Sequence, residues 1–383
     1  MRKLFSVDDH IVEPADTWST RVPARFRDAA PHVVEDGGDE FWVYEDRRHA
    51  NLGLNAVAGK PQEEWSREPC RFDQMIPGCY DAAARAQDFH AAGIMSSLSF
   101  PTLPRFGGAL FIDFRDKELA DVCVRAWNDF MFDWCSVAPE MFVPMCIIQL
   151  WDPEAAVREI KRNLARGVRA VAMPEETSNL GLPSYYTEFY DPVFELCEQE
   201  RLPVCMHIAS SGWKTYRPPE SSAALGIALN MVQTMTHAVS LMFSPVCRKF
   251  PEIKIVFSEG GIGWVPVTLE RADRQYQLHR YWGDLPQDGL PSEICRRNMW
   301  FCMIDEPYGL ANRHVIGLDR IFWECDYPHA NCIWADTQKT VDELFVDVPE
   351  EEADQILFGN AEKMFNWTCP EIPTVGPADA LPR

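Results

Sequence analysis

The chain has 383 residues, 46% of them hydrophobic and 25% charged, which supplies a sizeable core and tells against extended disorder. A formal charge of −22 tells against nucleic acid or an anionic membrane as partner, because a polyanion would be repelled over the whole surface. Thirteen cysteines, odd in number and without a CxxC pair, indicate neither a zinc ribbon nor a disulfide framework and fit a reduced cytoplasm. Residues 1–7 lack the apolar stretch of a signal peptide, and no run approaches the roughly 18 apolar residues that span a bilayer.

In chain order, short runs rich in Val, Ile, Phe and Met alternate with longer segments of helical period, the pattern of βα units around a parallel sheet. The runs fall at residues 3–7, 93–100, 141–149, 168–173, 203–208, 253–257, 298–303 and 320–324, and the helical periods at 80–92, 117–134, 152–166, 190–201 and 264–281. Eight such strands close most simply into an α/β fold, a (β/α)8 TIM barrel over residues 1–367, with a doubly wound open sheet as the alternative. Three stretches depart from the repeat. Residues 35–68, with the alternating Glu40–Phe41–Trp42–Val43–Tyr44, predict a small β insertion after strand 1. Residues 209–223, rich in Ser, Gly and Pro, follow the fifth strand where a substrate lid would sit, and 368–383 reads as an extended Pro-rich C-terminal arm.

The first strand runs into Asp8–Asp9–His10–Ile11–Val12–Glu13–Pro14. Alternation along a strand turns Asp8 and His10 the same way, so they can share one ion, with Glu13 returning a third oxygen. The fifth strand ends at His207, the sixth at Glu259 before Gly260 and Gly261, and the eighth drives apolar residues into Asp326, with His329 three places on. Costly polar groups in such a place are best satisfied by a metal. Together Asp8, His10, Glu13, His207, Glu259, Asp326 and His329 offer four carboxylates and three imidazoles, suited to Fe, Mn or Zn. That set exceeds the roughly four ligands of one tetrahedral zinc, so two divalent ions are expected. His237 reads as an extra ligand, a proton relay or an ordinary helical histidine. Arg105, Lys214 and Arg217 lie on loops after strands two and five, where they could receive a substrate carboxylate.

These residues resemble the amidohydrolase superfamily, and within it the aminocarboxymuconate-semialdehyde decarboxylase-like branch. The landmarks are Asp8-x-His10-x-x-Glu13–Pro14, the strand end at His207, Ser258–Glu259–Gly260–Gly261–Ile262–Gly263–Trp264 and Cys325–Asp326–Tyr327–Pro328–His329. The resemblance implies one metal site from Asp8, His10, His207 and Asp326. It also shows two departures: no lysine in 168–173 to bridge a metal pair, and Glu259 where family members usually carry a histidine.

Two chemistries fit. Glu259 with Glu13 and His329 would complete a second, carboxylate-rich site, resembling a subgroup in which paired iron, or iron with manganese, activates dioxygen for hydroxylation. That monooxygenase reading is favoured here, with Asp326, Glu259 and His237 as catalytic groups. It requires a separate electron donor, since the sequence has no flavin, haem or iron–sulfur signature. The alternative is a mononuclear hydrolase or decarboxylase acting on a small polar or carboxylate-bearing substrate. A third reading is a catalytically silent barrel paired with an active paralogue. Assembly with an identical or related chain is expected on family grounds.

Overall fold

The computed structural model describes residues 1–212 and 218–372. The barrel begins with β1 (Leu4–Ile11). A three-stranded antiparallel sheet follows, β2 (His32–Asp36), β3 (Asp39–Tyr44) and β4 (Arg47–Ala50), in the order β2-β3-β4. This is the insertion after strand 1; it starts at His32, three residues before the expected 35–68, and has three strands.

The chain then returns to the barrel as β5 (Ile94–Pro101), β6 (Phe142–Val143), β7 (Met145–Cys146), β8 (Ala170–Ala172), β9 (Val204–His207), β10 (Ile255–Ser258), β11 (Met299–Met303) and β12 (Ile321–Trp323), all paired in parallel with their neighbours. β6 and β7 are one barrel strand interrupted at Pro144, which has no N–H to give the ladder. With β6 and β7 counted as one, the barrel has eight strands. It closes where Asp326 N donates to the Asp8 carbonyl (2.9 Å) and His10 N to the Tyr327 carbonyl (2.7 Å). The strands are buried on both faces, which is why they read as continuous apolar runs rather than as alternation.

The crossover helices start where a side chain caps them. Asp81 accepts from Ala84 N ahead of α1 (Ala82–Ala92), Asp116 from Glu118 and Leu119 N ahead of α2 (Lys117–Val137), and Asp152 from Ala155 N ahead of α3 (Pro153–Leu164). Gly93, with φ 74°, ends α1 in the left-handed conformation and turns the chain straight into β5. Next come α4 (Asp191–Gln199), α5 (Ala223–Ala228), α6 (Asn230–Phe243), α7 (Val246–Lys249) and α8 (Val265–His279). Among the described residues no helix is long and apolar enough to cross a membrane. Residues 368–372 lie back on the barrel floor, where Cys369 Sγ contacts the Leu4 carbonyl (3.8 Å) and Glu371 pairs with Lys3 (2.8 Å). Most of the predicted arm lies outside the described residues.

Candidate metal centre

The carboxyl ends of β1, β9, β10 and β12 meet at one buried space. Asp8 and His10 point into it from β1. Asp9, between them, points away and accepts from Ser97 Oγ (2.6 Å) and Tyr327 N (3.0 Å). Burial pushes the Asp9 carboxyl up to about 7 against the opposing pull of Arg85. Arg85 Nη2 in turn donates to the His10 carbonyl at 2.7 Å, so these two buried side chains fix by hydrogen bonds the backbone that aims Asp8 and His10.

His207 Nδ1 sits 2.6 Å from the Ile208 carbonyl, which places the proton on Nδ1 and leaves Nε2 as a bare lone pair. That lone pair faces acceptors: Asp8 Oδ2 at 3.3 Å and Glu259 Oε2 at 3.3 Å, with His10 Nε2 at 3.0 Å. His10 Nε2 lies 3.4 Å from Asp8 Oδ1 and 3.3 Å from Asp326 Oδ1. Among the described residues, neither oxygen of Asp326 has a hydrogen-bond partner, and those of Asp8 have none at normal hydrogen-bond geometry, the nearby Ser258 hydroxyl offering only a weak counterweight to burial. The nearest imidazole nitrogens able to carry a proton, His10 Nε2 and His329 Nδ1, lie 3.3 to 3.5 Å away, so four desolvated carboxylate oxygens face at most two imidazole protons. Buried anions in that state are strongly unfavourable, and a cation at the point of convergence relieves them all.

Proton affinities follow the same geometry. Burial, then the neighbouring Glu324 and Glu259, drives Asp8 well above the ordinary carboxylate range; burial, then Glu259 and Asp8, does the same to Asp326. Burial holds His207 down at about 3 and lowers His10 and His329 well below the usual imidazole range. The imidazoles are thus neutral and free to donate lone pairs at neutral pH, which is the form a metal binds. Asp8, His10 and His207 form one three-donor group, and His10, Asp326 and His329 a second that shares His10. The donors present fit a divalent ion of the Fe, Mn or Zn type.

The other predicted residues divide. Glu259 joins the cluster at its outer edge, 17% exposed where Asp8 and Asp326 are closed. Its φ of 57° is held by both oxygens of Glu324, which accept from Glu259 N at 3.1 and 3.2 Å. His329 stacks on His10, with ring centroids 3.6 Å apart at 14°, and its Nδ1 lies 3.5 Å from Asp326 Oδ1. Glu13 is not brought in. Its carboxylate accepts from Thr102 N (3.1 Å), Leu103 N (2.9 Å) and Trp127 Nε1 (3.0 Å), tying the end of β1 to the loop after β5. His237, on α6, also stands apart from the two donor groups. Its Nδ1 lies 3.1 Å from Glu175 Oε2, and Glu175 Oε1 accepts from Thr234 Oγ1 at 2.6 Å. Arg105 is exposed and bonds Asp113 at 3.2 Å, while Lys214 and Arg217 lie outside the described residues.

Sequence reading passed over several residues. Phe106, next to Arg105, packs its ring 4.2 Å from His207 and 4.9 Å from His10, forming an aromatic wall on the cluster. Glu324 stands two residues before Asp326, the same alternation that pairs Asp8 with His10, and could have been found by that rule. Glu175 gives no comparable signal, because its partners come from a helix some sixty positions away.

A sequence model of the Amidohydrolase family matches residues 29–367. The chain is similar to γ-resorcylate decarboxylase of Polaromonas sp. (strain JS666), at 25% identity over 325 residues, covering 82% of this chain and 94% of that protein. Among solved structures, an amidohydrolase from Mycobacterium avium subsp. paratuberculosis K-10 shares the fold with a TM-score of 0.75 at 20% identity, over 95% of this chain and 99% of that one. A 5-carboxyvanillate decarboxylase from Novosphingobium aromaticivorans DSM 12444, complexed with manganese and 4-hydroxy-3-methoxy-5-nitrobenzoic acid, shares it with a TM-score of 0.67 at 20% identity, over 95% and 96%. With the metal-ready cluster at the mouth of a closed eight-stranded barrel and a family match spanning most of its length, the chain belongs to the Amidohydrolase family, in the aminocarboxymuconate-semialdehyde decarboxylase-like branch of the superfamily.

Proposed function

We propose that the chain is a divalent-metal-dependent carboxy-lyase that removes the carboxyl group of a small aromatic acid without consuming oxygen. The observation that supports this most is the meeting of the His207 lone pair with the unpartnered carboxylates of Asp8 and Asp326 in one buried space. The relatives supply the chemistry: those named above that carry a specific activity are decarboxylases of aromatic acids, and one holds manganese. They favour the decarboxylase alternative over dioxygen-dependent hydroxylation, and the need for an electron donor goes with it. Glu13, which the dioxygen reading required at a second site, has its oxygens engaged elsewhere.

Asp8, His10, His207 and Asp326 would hold the ion, which when bound supplies Lewis acidity toward the substrate's carboxylate. Phe106 offers a flat apolar face beside His207 for an aromatic ring. Burial excludes water from the inner donors, so a proton must come from the outer edge. Glu259, 17% exposed, pushed up to about 7 by burial and aimed by Glu324 and by Asn331 Nδ2 (3.4 Å), stands where it can place a proton on the ring carbon as the C–C bond breaks and CO2 leaves. Water then returns the proton to Glu259. The donor group Asp8, His10, His207 and Asp326 answers to one ion; His329 and Glu259 would be needed for a second.

The test is metal content per chain, on protein purified without chelator, together with CO2 release from a panel of hydroxybenzoates and oxygen uptake with a reductant. Metal-dependent CO2 release with no oxygen uptake is expected. Oxygen uptake with a hydroxylated product and two redox-active ions per chain would sink the proposal, and a metal-free chain inert in both assays would return the silent-partner reading.

A further inference from the structure

None of the thirteen cysteines forms a disulfide, and twelve of them are buried. The one that is not, Cys332, has its sulfur 3.8 Å from the Sγ of Cys325. These two residues bracket the loop that carries Asp326 and His329. Cys325 is anchored: it is fully buried, and its N–H donates to Ser6 Oγ of β1 at 2.9 Å. Cys332 is attached to the loop itself, its N–H donating to the His329 carbonyl at 3.0 Å, and its sulfur receives the Trp334 N–H at 3.2 Å. The least buried cysteine is therefore the one with a second thiol directly behind it.

We propose that Cys325 and Cys332 are an oxidation site that closes into an intrachain disulfide and thereby deforms the metal-binding loop. With hydrogen peroxide as oxidant, two S–H bonds and the O–O bond break, and one S–S bond and two O–H bonds form. The two thiols lose two electrons and two protons, and hydrogen peroxide leaves as two molecules of water. Bond formation draws the sulfurs from 3.8 Å to roughly 2.05 Å. Because Cys325 is held by β1, Cys332 makes most of that movement, and the His329 carbonyl moves with it. The stack of His329 on His10 and the position of Asp326 are then disturbed together. The consequence for the metal rests on the metal-centre reading above, whereas formation of the bond does not.

The experiment treats manganese-loaded full-length protein with a small excess of hydrogen peroxide, alkylates it under denaturing conditions and maps the peptides. Bound manganese is measured in parallel, before and after dithiothreitol. The expected result is a peptide linking Cys325 to Cys332, two fewer free thiols of the original thirteen, and manganese affinity weakened about 10- to 100-fold, the scale on which supporting groups act. Dithiothreitol should restore both, and Cys332→Ser should keep its metal through the same treatment. Oxidation of Cys332 with Cys325 still free would overturn the site. A cross-link that leaves manganese affinity unchanged would overturn its control of the loop. None of these readouts uses a substrate, so failure of the carboxy-lyase reading would show separately, as absent CO2 release from metal-replete, reduced protein.

Discussion

Replacing Asp326 by Asn should change stability in opposite directions with and without metal. Asp8 Oδ1 and Asp326 Oδ1 lie 3.4 and 3.3 Å from the same His10 nitrogen, so they are at most 6.7 Å apart, the sum of the two distances. Two unit charges at that separation repel by about 2.5 kcal/mol at an effective dielectric near 20. Asp326→Asn removes that repulsion from the metal-free protein, while in the loaded protein it removes a ligand. Loss of one partner from a buried charge set costs about 3–5 kcal/mol, or roughly two to three and a half decades of metal affinity. The pH dependence follows from the raised affinity of Asp326 for its proton. A carboxyl whose folded pKa lies above its unfolded value stabilises the folded state at low pH, and that contribution disappears as pH rises from about 4 through the folded pKa. The advantage of the variant over the parent in chelator should therefore grow with pH above about 4. Thermal unfolding in EDTA and in excess manganese, from pH 5 to 8, measures both arms; a rise of roughly 3 °C in EDTA is expected at the alkaline end. A variant that is destabilised equally in EDTA and in manganese would refute the claim that these carboxylates await a cation.

Glu13→Gln should leave metal content unchanged yet lower stability by about 1–3 kcal/mol, because its amide nitrogen would face one of the N–H donors the carboxylate now satisfies; loss of bound metal would restore Glu13 as a ligand. Glu259→Gln should retain the ion and reduce turnover about 10²- to 10⁴-fold, the usual range for a positioned proton donor. If that variant instead loses one of two ions, the dinuclear reading returns. Phe106→Ala should raise KM about 2- to 10-fold for an aromatic substrate, on the scale of about 0.5–1.5 kcal/mol for an aromatic contact, with unchanged metal content. Equal KM in the two proteins would show that the ring binds elsewhere. His237→Gln and Glu175→Gln should each destabilise the fold in a non-additive way, measured by a double-mutant cycle in urea, because the two side chains bond each other; additive effects would show that the pair is not coupled.

The barrel was legible because its strands are buried on both faces: runs such as Val204–His207 and Ile255–Ser258 have no polar face to interrupt them. The helices were equally plain, since an Asp cap and a 3.6-residue period reinforce each other at α1, α2 and α3. What blurred the strands was local chemistry. Pro144 splits one strand into β6 and β7, which an apolar run alone cannot reveal, and β1 extends through its polar residues to Ile11 because its backbone stays paired in parallel with β5 as far as Pro101.

The site divides along the same line. The convergence of Asp8, His10, His207 and Asp326 was readable because each lies in the carboxyl half of a barrel strand or just past it, and in this fold position along a strand predicts position in space. Glu13 sits one turn beyond that rule. The chain after Ile11 leaves the ladder, and where its carboxylate goes is decided by Thr102, Leu103 and Trp127, three donors no local pattern connects to it. Glu259 is the converse: it is placed by Glu324, which holds its backbone at φ 57°, a conformation unfavourable for any residue with a Cβ. A buried carboxylate spent on holding another residue's backbone is costly unless the orientation it fixes is used. Glu259 to Ala at that position would keep the backbone bond to Glu324 while removing the reacting group. The two variants Glu259→Ala and Glu324→Gln therefore separate chemistry from aim: the first should abolish turnover with the loop intact, and the second should lower turnover and shift its pH profile with Glu259 still present.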